Sequence, residues 1–271
     1  EYEDRCSPDI SNVFATAAFR FLHSAIDDKF QITKINKDGQ LETKFIDLVA
    51  NFLNPHLLYN GDTVSDMLMG FMGQENPKVD RSFSVTVQHR LFERDGKVGT
   101  GIDLAAANIQ RGRDHGLPSY TDFRRMCGLK VPQSFEDLFR IMGEETAERL
   151  RSTYKHVEDI DMFIGVVCEI PDKISVLGPV GQCILGEQFQ RLRQCDRYWF
   201  ENGDMKHSFT PEQLDSIRDF TLAKLLCEAR ADGNQSVVVT QFPMLLNSPM
   251  KKCSEIPTIN YSLWLEKLPA L

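Results

Sequence analysis

The side chains best suited to ligand chemistry concentrate in two segments. In the first, apolar residues recur at the spacing of an amphipathic helix, at Phe14, Ala17, Ala18, Phe21, Leu22 and Ala25. At about 100° per residue, His23 lies roughly half a turn from that stripe, and Phe19 and Arg20 share its side. The side of the helix that carries Phe19, Arg20 and His23 is expected to pack against a partner other than the apolar core. A flat apolar cofactor that bears carboxylates would suit the phenyl ring, the guanidinium and the imidazole together.

The second segment begins with alanines at 105–107, which allow another element to approach closely. Asn108 and Arg111 follow, and an Arg-Asp-His run occupies 113–115. For that run we predict a local ion-pair network at a helix end, which orders the loop before Pro118.

Composition restricts the class of protein. The 271 residues carry 31 Lys plus Arg against 39 Asp plus Glu, for a net charge of -8, and 42% are hydrophobic. These values are typical of a folded soluble domain and exclude a disordered chain. An acidic balance without a basic cluster argues against nucleic-acid binding, and no apolar run approaches the ~20 residues of a membrane span. The six histidines show no HExxH spacing, so no dedicated zinc site is predicted.

Cysteines and glycosylation sequons point to the compartment. The seven cysteines form no CxxC pair, and N-x-S sequons occur at Asn234 and Asn260. Together they favour a secreted chain with disulfides over a cytosolic protein with buried thiols. The chain begins at Glu1 without an initiator Met or signal peptide, so we expect a mature product, a processed chain or a fragment. Because the cysteine count is odd, we expect Cys6 to pair with a cysteine outside this chain.

Helical patterning dominates the chain and predicts one mainly α domain without repeats or linkers. We expect helices at 14–25, 44–52, 80–94, 100–109, 120–126, 134–142, 144–155, 181–197 and 212–229. Ser11 or Asn12 is predicted to cap the first, and Thr210 followed by Pro211 the last. Residues 28–42 are expected to form a surface loop or short hairpin, and 237–242 is the only convincing strand pattern.

The sequence NIQRGRDHGLPSY at 108–120 resembles a signature of the animal haem peroxidases, the superfamily of myeloperoxidase, lactoperoxidase, peroxidasin and peroxinectin. Three further motifs agree in the family's order: AAFRFLH at 17–23, GPVGQCILGEQF at 178–189 and DRYWFEN at 196–202. Four motifs across almost the whole chain make a highly specific match. The resemblance implies a mainly α fold with little β structure, of which residues 1–271 would form the C-terminal, proximal portion of the domain.

The resemblance also implies residue roles. His23 matches the proximal axial ligand of the haem iron, and Asn108 matches the residue that accepts a hydrogen bond from the other ring nitrogen. Arg20 and Arg111 match positions near the haem propionates, where guanidinium groups offset carboxylate charge. Leu22 precedes the histidine where mammalian members have Gly, a departure that bears on local packing.

Two disulfides of the family have matches in this chain. They are Cys127–Cys183 and Cys227–Cys253, whose members are 56 and 26 residues apart. Loop closure predicts about 3–4.5 kcal/mol of stabilisation from each. Cys168 and Cys195 have no family match, and they either pair with each other or stay free.

Peroxide chemistry in the family also needs a distal side, where a histidine moves the protons of bound peroxide and an arginine or glutamine stabilises charge. Those groups and the calcium site precede the proximal helix in the family, and residues 1–22 resemble none of them. The N-terminal distal part is therefore expected to be absent from this chain, and the calcium site with it.

Two functions are consistent with these features. The first is a secreted, extracellular haem peroxidase that reduces hydrogen peroxide and oxidises a halide or phenolic donor. The second is a non-catalytic peroxidase-like protein of an extracellular matrix or of adhesion, as in cuticle, chorion or shell. Retention of both His23 and Asn108 favours the first. Expected partners are peroxide and a small donor, with the missing N-terminal chain or the matrix as macromolecular candidates.

Overall fold

The computed structural model describes residues 2–3, 5–38, 40–94, 96–203, 205–229, 236–238 and 250–265. The chain divides into two compact units. The first unit comprises Glu1–Asp28 and Asn76–Arg197, and the second unit comprises Lys29–Glu75 and Tyr198–Leu271. In the described residues helices dominate and the strands form two short two-stranded sheets, so the predicted mainly α class is confirmed. The assignment of all 271 residues to one peroxidase domain stays a prediction.

The helices and strands are numbered here in chain order. The α-helices are α1 (Asn12–Thr16), α2 (Thr63–Phe71), α3 (Val85–His89), α4 (Leu104–Asp114), α5 (Tyr120–Met126), α6 (Phe139–Met142), α7 (Glu144–Thr153), α8 (Met162–Cys168), α9 (Pro179–Cys195), α10 (Pro211–Arg218) and α11 (Leu222–Ala229). The 3₁₀ helices are Ala18–Ala25, Val49–Asn51, Pro55–Tyr59, Glu136–Leu138, Val157–Asp159, Cys253–Glu255 and Tyr261–Trp264. The strands are β1 (Lys29–Ile35), β2 (Leu41–Asp47), β3 (Ser236–Val238) and β4 (Met250–Lys252). Over the described ranges, no helix combines the length and apolar character that crossing a bilayer requires.

Several predicted helices of the first unit are confirmed. The helix predicted at 120–126 has those bounds as α5, and Ser119 caps it by accepting the N–H of Asp122. The predictions at 144–155 and 181–197 lie within two residues of α7 and α9. The prediction at 134–142 covers a 3₁₀ turn followed by α6.

Other predicted helices are shorter or displaced. The prediction at 80–94 is mostly wrong, since α3 occupies only its centre. The prediction at 100–109 is shifted towards the C-terminus, because Asp103 caps α4 by accepting the N–H of Ala106. The prediction at 212–229 is interrupted between α10 and α11, although Thr210 does cap α10 as expected.

The first predicted helix, 14–25, changes its type halfway. Ser11 caps α1 by accepting the N–H of Phe14, and α1 ends at Thr16. Ala17 then adopts φ -132° and ψ -59°, and the chain continues as the 3₁₀ helix Ala18–Ala25. Because a 3₁₀ helix has three residues per turn, its buried positions recur every third residue, at Ala18, Phe21 and Ser24. The stripe predicted from the sequence is therefore confirmed at Ala18 and Phe21 but wrong at Leu22, which is 53% exposed, and it missed the buried Ser24.

A β-hairpin replaces the helix predicted at 44–52. β1 pairs antiparallel with β2 in the second unit, with a register from Lys29 opposite Asp47 to Ile35 opposite Leu41. The ladder supplies backbone hydrogen bonds that local helical spacing does not foresee, and tertiary pairing overrides propensity here. Of the two alternatives for 28–42, the hairpin is the one observed. In the predicted strand 237–242, β3 pairs with β4, and residues 239–242 lie outside the described residues.

Each unit has its own apolar core. In the first unit, α5, α8 and α9 contribute fully buried side chains, among them Tyr120, Phe163, Val166 and Val180. In the second unit the core is formed by Met69, Met72, Ala223, Cys253 and Ile256.

Close packing between α5 and α8 depends on Gly165, where an added methyl group would lie 2.0 Å from Cδ2 of Tyr120. We expect Gly165→Ala to lower the free energy of unfolding by about 1–3 kcal/mol, because the buried ring cannot move aside. Gly186 in α9 has no atom within 4 Å of such a methyl group and is the matched control. Gly186→Ala is expected to stabilise by about 0.4–1 kcal/mol. Urea unfolding of both variants tests this, and a neutral Gly165→Ala would contradict the packing.

Three disulfides connect the described residues. Cys127–Cys183 and Cys227–Cys253 are the two pairs that the resemblance implied. The third joins Cys6 to Cys195, so the expectation that Cys6 pairs elsewhere is wrong, as are both alternatives for Cys195.

The segment around Cys6 is held against α9 by polar contacts, which explains the unexpected disulfide. The backbone N–H of Glu3 donates to the carbonyl of Gln194 at 2.7 Å. The fully buried Gln188 accepts the N–H of Ser11 at 2.7 Å and donates to the carbonyl of Asp9 at 3.1 Å. These contacts bring residues 189 positions apart together, which no local sequence pattern signals.

Candidate functional site

His23 lies between the buried and the exposed side of the 3₁₀ helix Ala18–Ala25. With three residues per turn, the helix has one buried row, Ala18, Phe21 and Ser24, and an exposed row that includes Phe19 and Leu22. His23 and Arg20 belong to the remaining row, and both are half-buried. The local geometry therefore places an imidazole beside a guanidinium at the edge between core and surface.

Asn108 supplies the contact that holds the ring. It is the buried residue of α4, with 1% of its surface exposed, and α4 packs against the 3₁₀ helix. The expected role of the alanines in this approach is not observed, since Ala106 and Ala107 are exposed. The amide Nδ2 of Asn108 lies 2.9 Å from Nδ1 of His23, although the two residues are 85 positions apart. α8 packs against both elements and fixes their relative position. The structure thus brings together the two residues that the sequence motifs singled out.

The amide can serve either tautomer of the imidazole. In the arrangement observed, an N–H of Asn108 donates to Nδ1 of His23, and the ring proton is on Nε2. A half-turn of the amide brings its oxygen to the same place, where it accepts Nδ1–H and leaves the Nε2 lone pair free. Nδ1 is occupied in both cases, and in the second arrangement the Nε2 lone pair is available to an external ligand.

The surroundings of His23 favour its neutral form. Burial lowers the pKa of the imidazole, the nearby Arg20 guanidinium lowers it further, and the hydrogen bond to Asn108 acts in the opposite direction. The folded chain therefore binds this proton less tightly than the unfolded chain, and stability from this group is lost as the pH falls below its ordinary pKa of 6.5. At pH 7 the ring is neutral, as a metal ligand must be.

The guanidinium of Arg20 lies close to His23, and that of Arg111 lies close enough to Arg20 to repel it. Nε of Arg20 donates to the carbonyl of Ala15 at 3.2 Å, and its pKa is lowered by burial and by the charge of Arg111. Arg111 is exposed on α4, with its Nη1 4.0 Å from a carboxylate oxygen of Asp114. The mutual repulsion of Arg20 and Arg111 would be relieved by a bound anion.

Exposed apolar side chains accompany these charges. Phe19 stacks on Phe14 with 5.6 Å between ring centroids, yet 43% of its surface is exposed. Leu22 is 53% exposed, because the 3₁₀ geometry turns it out of the predicted apolar stripe. These side chains together fit a flat apolar cofactor that carries a metal and carboxylates. The neutral imidazole can bind the metal, the guanidinium groups can pair with the carboxylates, and the apolar side chains can contact the flat ring.

The ion pairs around 113–115 differ from the local network predicted. The guanidinium of Arg113 donates to both carboxylate oxygens of Asp161, 48 residues away, at 2.9 and 2.6 Å. Tyr154 donates to the same carboxylate at 2.8 Å. Nδ1 of His115 lies 2.9 Å from Oδ1 of Asn12. These contacts join α4 to α1 and to the loop before α8, so the local interpretation is wrong for Arg113 and His115.

Sequence reasoning missed a buried polar cluster in the first unit. The hydroxyl of Tyr120 donates to Glu169 at 2.5 Å, and Arg124 donates to both of them. The other oxygen of Glu169 accepts the N–H of Val180 at 2.8 Å. Burial and the negative charge of Glu169 raise the pKa of Tyr120 far above its usual value. The i,i+4 spacing of Tyr120 and Arg124 was a signal, but nothing local identifies Glu169 as their partner.

The two sequons have different outcomes. Asn234 lies outside the described residues. Asn260 is exposed, and its Oδ1 accepts hydrogen bonds from the N–H and the hydroxyl of Ser262.

Comparisons with known proteins identify the family of this chain. The family model described as animal haem peroxidase matches residues 1–240. The chain is 36% identical over 267 residues to "Peroxidase-like protein 3" of Lottia gigantea, covering 97% of this chain and 82% of that protein. It is 34% identical over 272 residues to "Peroxidase" of Drosophila melanogaster, covering 98% of this chain but only 38% of that protein.

A solved structure shows the same fold. "Peroxidase A from Dictyostelium discoideum" superposes with a TM-score of 0.65 at 31% sequence identity, over 80% of this chain and 42% of that one. The chain therefore belongs to the animal haem peroxidase family, whose members bind haem.

Proposed function

We propose that this chain supplies the proximal side of the haem site in a secreted peroxidase that reduces hydrogen peroxide and oxidises a halide or a phenolic donor. The observation that carries the proposal is the 2.9 Å contact between Nδ1 of His23 and the buried amide of Asn108. A scaffold without a ligand has no need for a half-buried neutral imidazole whose inner nitrogen is held and whose outer nitrogen is available.

Four residues would hold the haem, each through a different contact. Nε2 of His23 would bind the iron, and Asn108 would accept Nδ1–H, which sets the tautomer and the ring plane. Arg20 and Arg111 would pair with the propionates and so lose their mutual repulsion. When bound, the haem supplies the exchange of two electrons with peroxide and their stepwise replacement by the donor.

The groups on the distal, peroxide-facing side of the haem would lie outside the described site. Residues 1–22 offer no match to them, so the peroxide-facing histidine, its charged partner and the calcium site would come from another part of a longer protein or from a companion chain. An extracellular matrix is the alternative macromolecular partner.

The test of the function uses the full-length native protein. A Soret absorption band together with oxidation of guaiacol by peroxide would support the proposal. Haem-free protein that is inert towards peroxide would reject it and favour the non-catalytic matrix or adhesion role.

Substitution of the orienting amide should shift the iron potential. We expect Asn108→Asp to retain haem and lower the reduction potential, because a carboxylate attracts Nδ1–H more strongly and makes the imidazole a richer donor. Potentiometry of the full-length protein measures the shift. Asn12→Asp is the matched control, since Asn12 contacts a different histidine, His115, at the same 2.9 Å. Equal potentials for Asn108→Asp and the parent would remove Asn108 from its assigned role.

Secretion has its own test. We propose that the chain is extracellular, supported by its three disulfides and by the exposed sequon at Asn260. Enzymatic removal of N-glycans should increase the mobility of the secreted protein on a denaturing gel. Because Asn234 carries the second sequon, Asn260→Gln should reduce that shift and the double variant Asn234→Gln/Asn260→Gln should reduce it further. A mobility unaffected by deglycosylation would contradict glycosylation at both positions.

A further inference from the structure

A cavity lies in the first unit, among residues that the haem proposal does not use. Its volume is about 450 Å³, and it is bounded by α7, α8, the first turn of α4 and residues 81–88. The walls are mostly apolar, with Phe83 and Phe163 in an edge-to-face contact at 6.3 Å between centroids, and Leu150 and Val167 beside them. Binding sites for small organic molecules fall in this range of volume and have this kind of lining.

Two arginines stand among the residues that line the cavity. Arg81 reaches it from the segment before α3, where its guanidinium also donates to the hydroxyl of Thr146. Arg149 reaches it from α7, with 75% of its side chain exposed. Glu145 lies between them, 3.4 Å from Nη2 of Arg81 and 3.0 Å from Nη2 of Arg149. Two cations share one carboxylate, so this edge keeps a positive charge and a donor for another anion.

We propose that this cavity binds a small organic anion with an apolar body, such as an aryl or short alkyl carboxylate. The apolar part would displace water from the phenyl and aliphatic walls, and the carboxylate would accept hydrogen bonds from Arg81 and Arg149. A volume of about 450 Å³ accommodates up to about three aromatic rings. The haem-site residues His23, Asn108 and Arg111 are absent from the lining, so the site is distinct from the one proposed above.

Cys168 provides a reporter for occupancy. It lines the cavity at the end of α8 and is the free thiol of the described chain. Burial raises its pKa to about 11, so it is a neutral and slowly reacting thiol. A ligand in the cavity should cover its sulfur and slow its alkylation further.

The experiment titrates the full chain with 8-anilinonaphthalene-1-sulfonate, an apolar anion, and with uncharged N-phenyl-1-naphthylamine. We expect the anion to bind at least tenfold more tightly, and to slow alkylation of Cys168 by N-ethylmaleimide at least fivefold. The variant Arg81→Gln/Arg149→Gln should weaken anion binding at least tenfold and leave the uncharged probe unaffected. Arg140→Gln, an exposed arginine of α6 outside the cavity lining, is the charge-matched control.

Two results would overturn the proposal. Equal binding of both probes would remove the anion specificity, and unchanged alkylation of Cys168 at saturating anion would place the probe elsewhere. If the double arginine variant does not fold, as judged by circular dichroism, Ala105→Phe decides the matter. A phenyl group at that lining position should fill the cavity and abolish binding of both probes, and retained binding would reject this location.

Discussion

Replacement of His23 by alanine is expected to abolish axial ligation of the haem in the full-length protein. Loss of an orienting partner alone reduces metal affinity by about 10–100-fold, so loss of the ligand itself should cost more than about 100-fold. The Soret band should shift or disappear, and haem should separate from the protein on gel filtration. His115→Ala is the matched control, because His115 is also paired with an asparagine but is not the proposed ligand.

External imidazole distinguishes ligation from a structural role of His23. If the side chain acts as a ligand, imidazole should occupy the space it vacates and restore the parental spectrum of His23→Ala. A merely structural defect would not respond to imidazole. A variant that keeps the parental absorption and electron paramagnetic resonance spectra would exclude His23 as the axial ligand.

The largest effect on stability is expected from Arg124→Met. The carboxylate of Glu169 is fully buried, and Arg124 is the cation that neutralises it. Removal of one member of a buried pair leaves an uncompensated charge, which costs about 3–5 kcal/mol. Arg125 follows on the same helix, pairs with Asp122 and has 60% of its side chain exposed. Arg125→Met should therefore cost less than about 1 kcal/mol.

A double variant tests the origin of the loss. Arg124→Met/Glu169→Gln removes both charges, and the new amide can still accept the N–H of Val180 through its oxygen and donate its NH2 to the hydroxyl oxygen of Tyr120. We expect it to recover at least about 2 kcal/mol relative to Arg124→Met. Urea unfolding at fixed pH measures all of these variants. Equal destabilisation by Arg124→Met and Arg125→Met would show that the buried charge is not what the fold depends on.

Much of the local structure follows from short-range sequence patterns. A cap at Ser11 or Asn12, the Thr210 cap and the bounds of α5 were predicted from such patterns, whereas the two disulfides Cys127–Cys183 and Cys227–Cys253 were implied by the family resemblance. Caps and helical stripes depend on residues within one or two turns of each other, so their spacing is visible in the sequence. The expected roles of His23 and Asn108 came from a different source, the resemblance of their motifs to those of a known family.

Tertiary structure decided the features that join distant residues or depend on backbone competition. The 3₁₀ geometry that exposes Leu22, the hairpin of β1 and β2, the Cys6–Cys195 disulfide and the burial of Glu169 beside Arg124 belong to this class. In each case the deciding partner is far along the chain, or two backbone conformations differ little in local energy. Which backbone conformation forms depends on the surfaces that pack together in the folded chain. A local sequence pattern does not specify those surfaces.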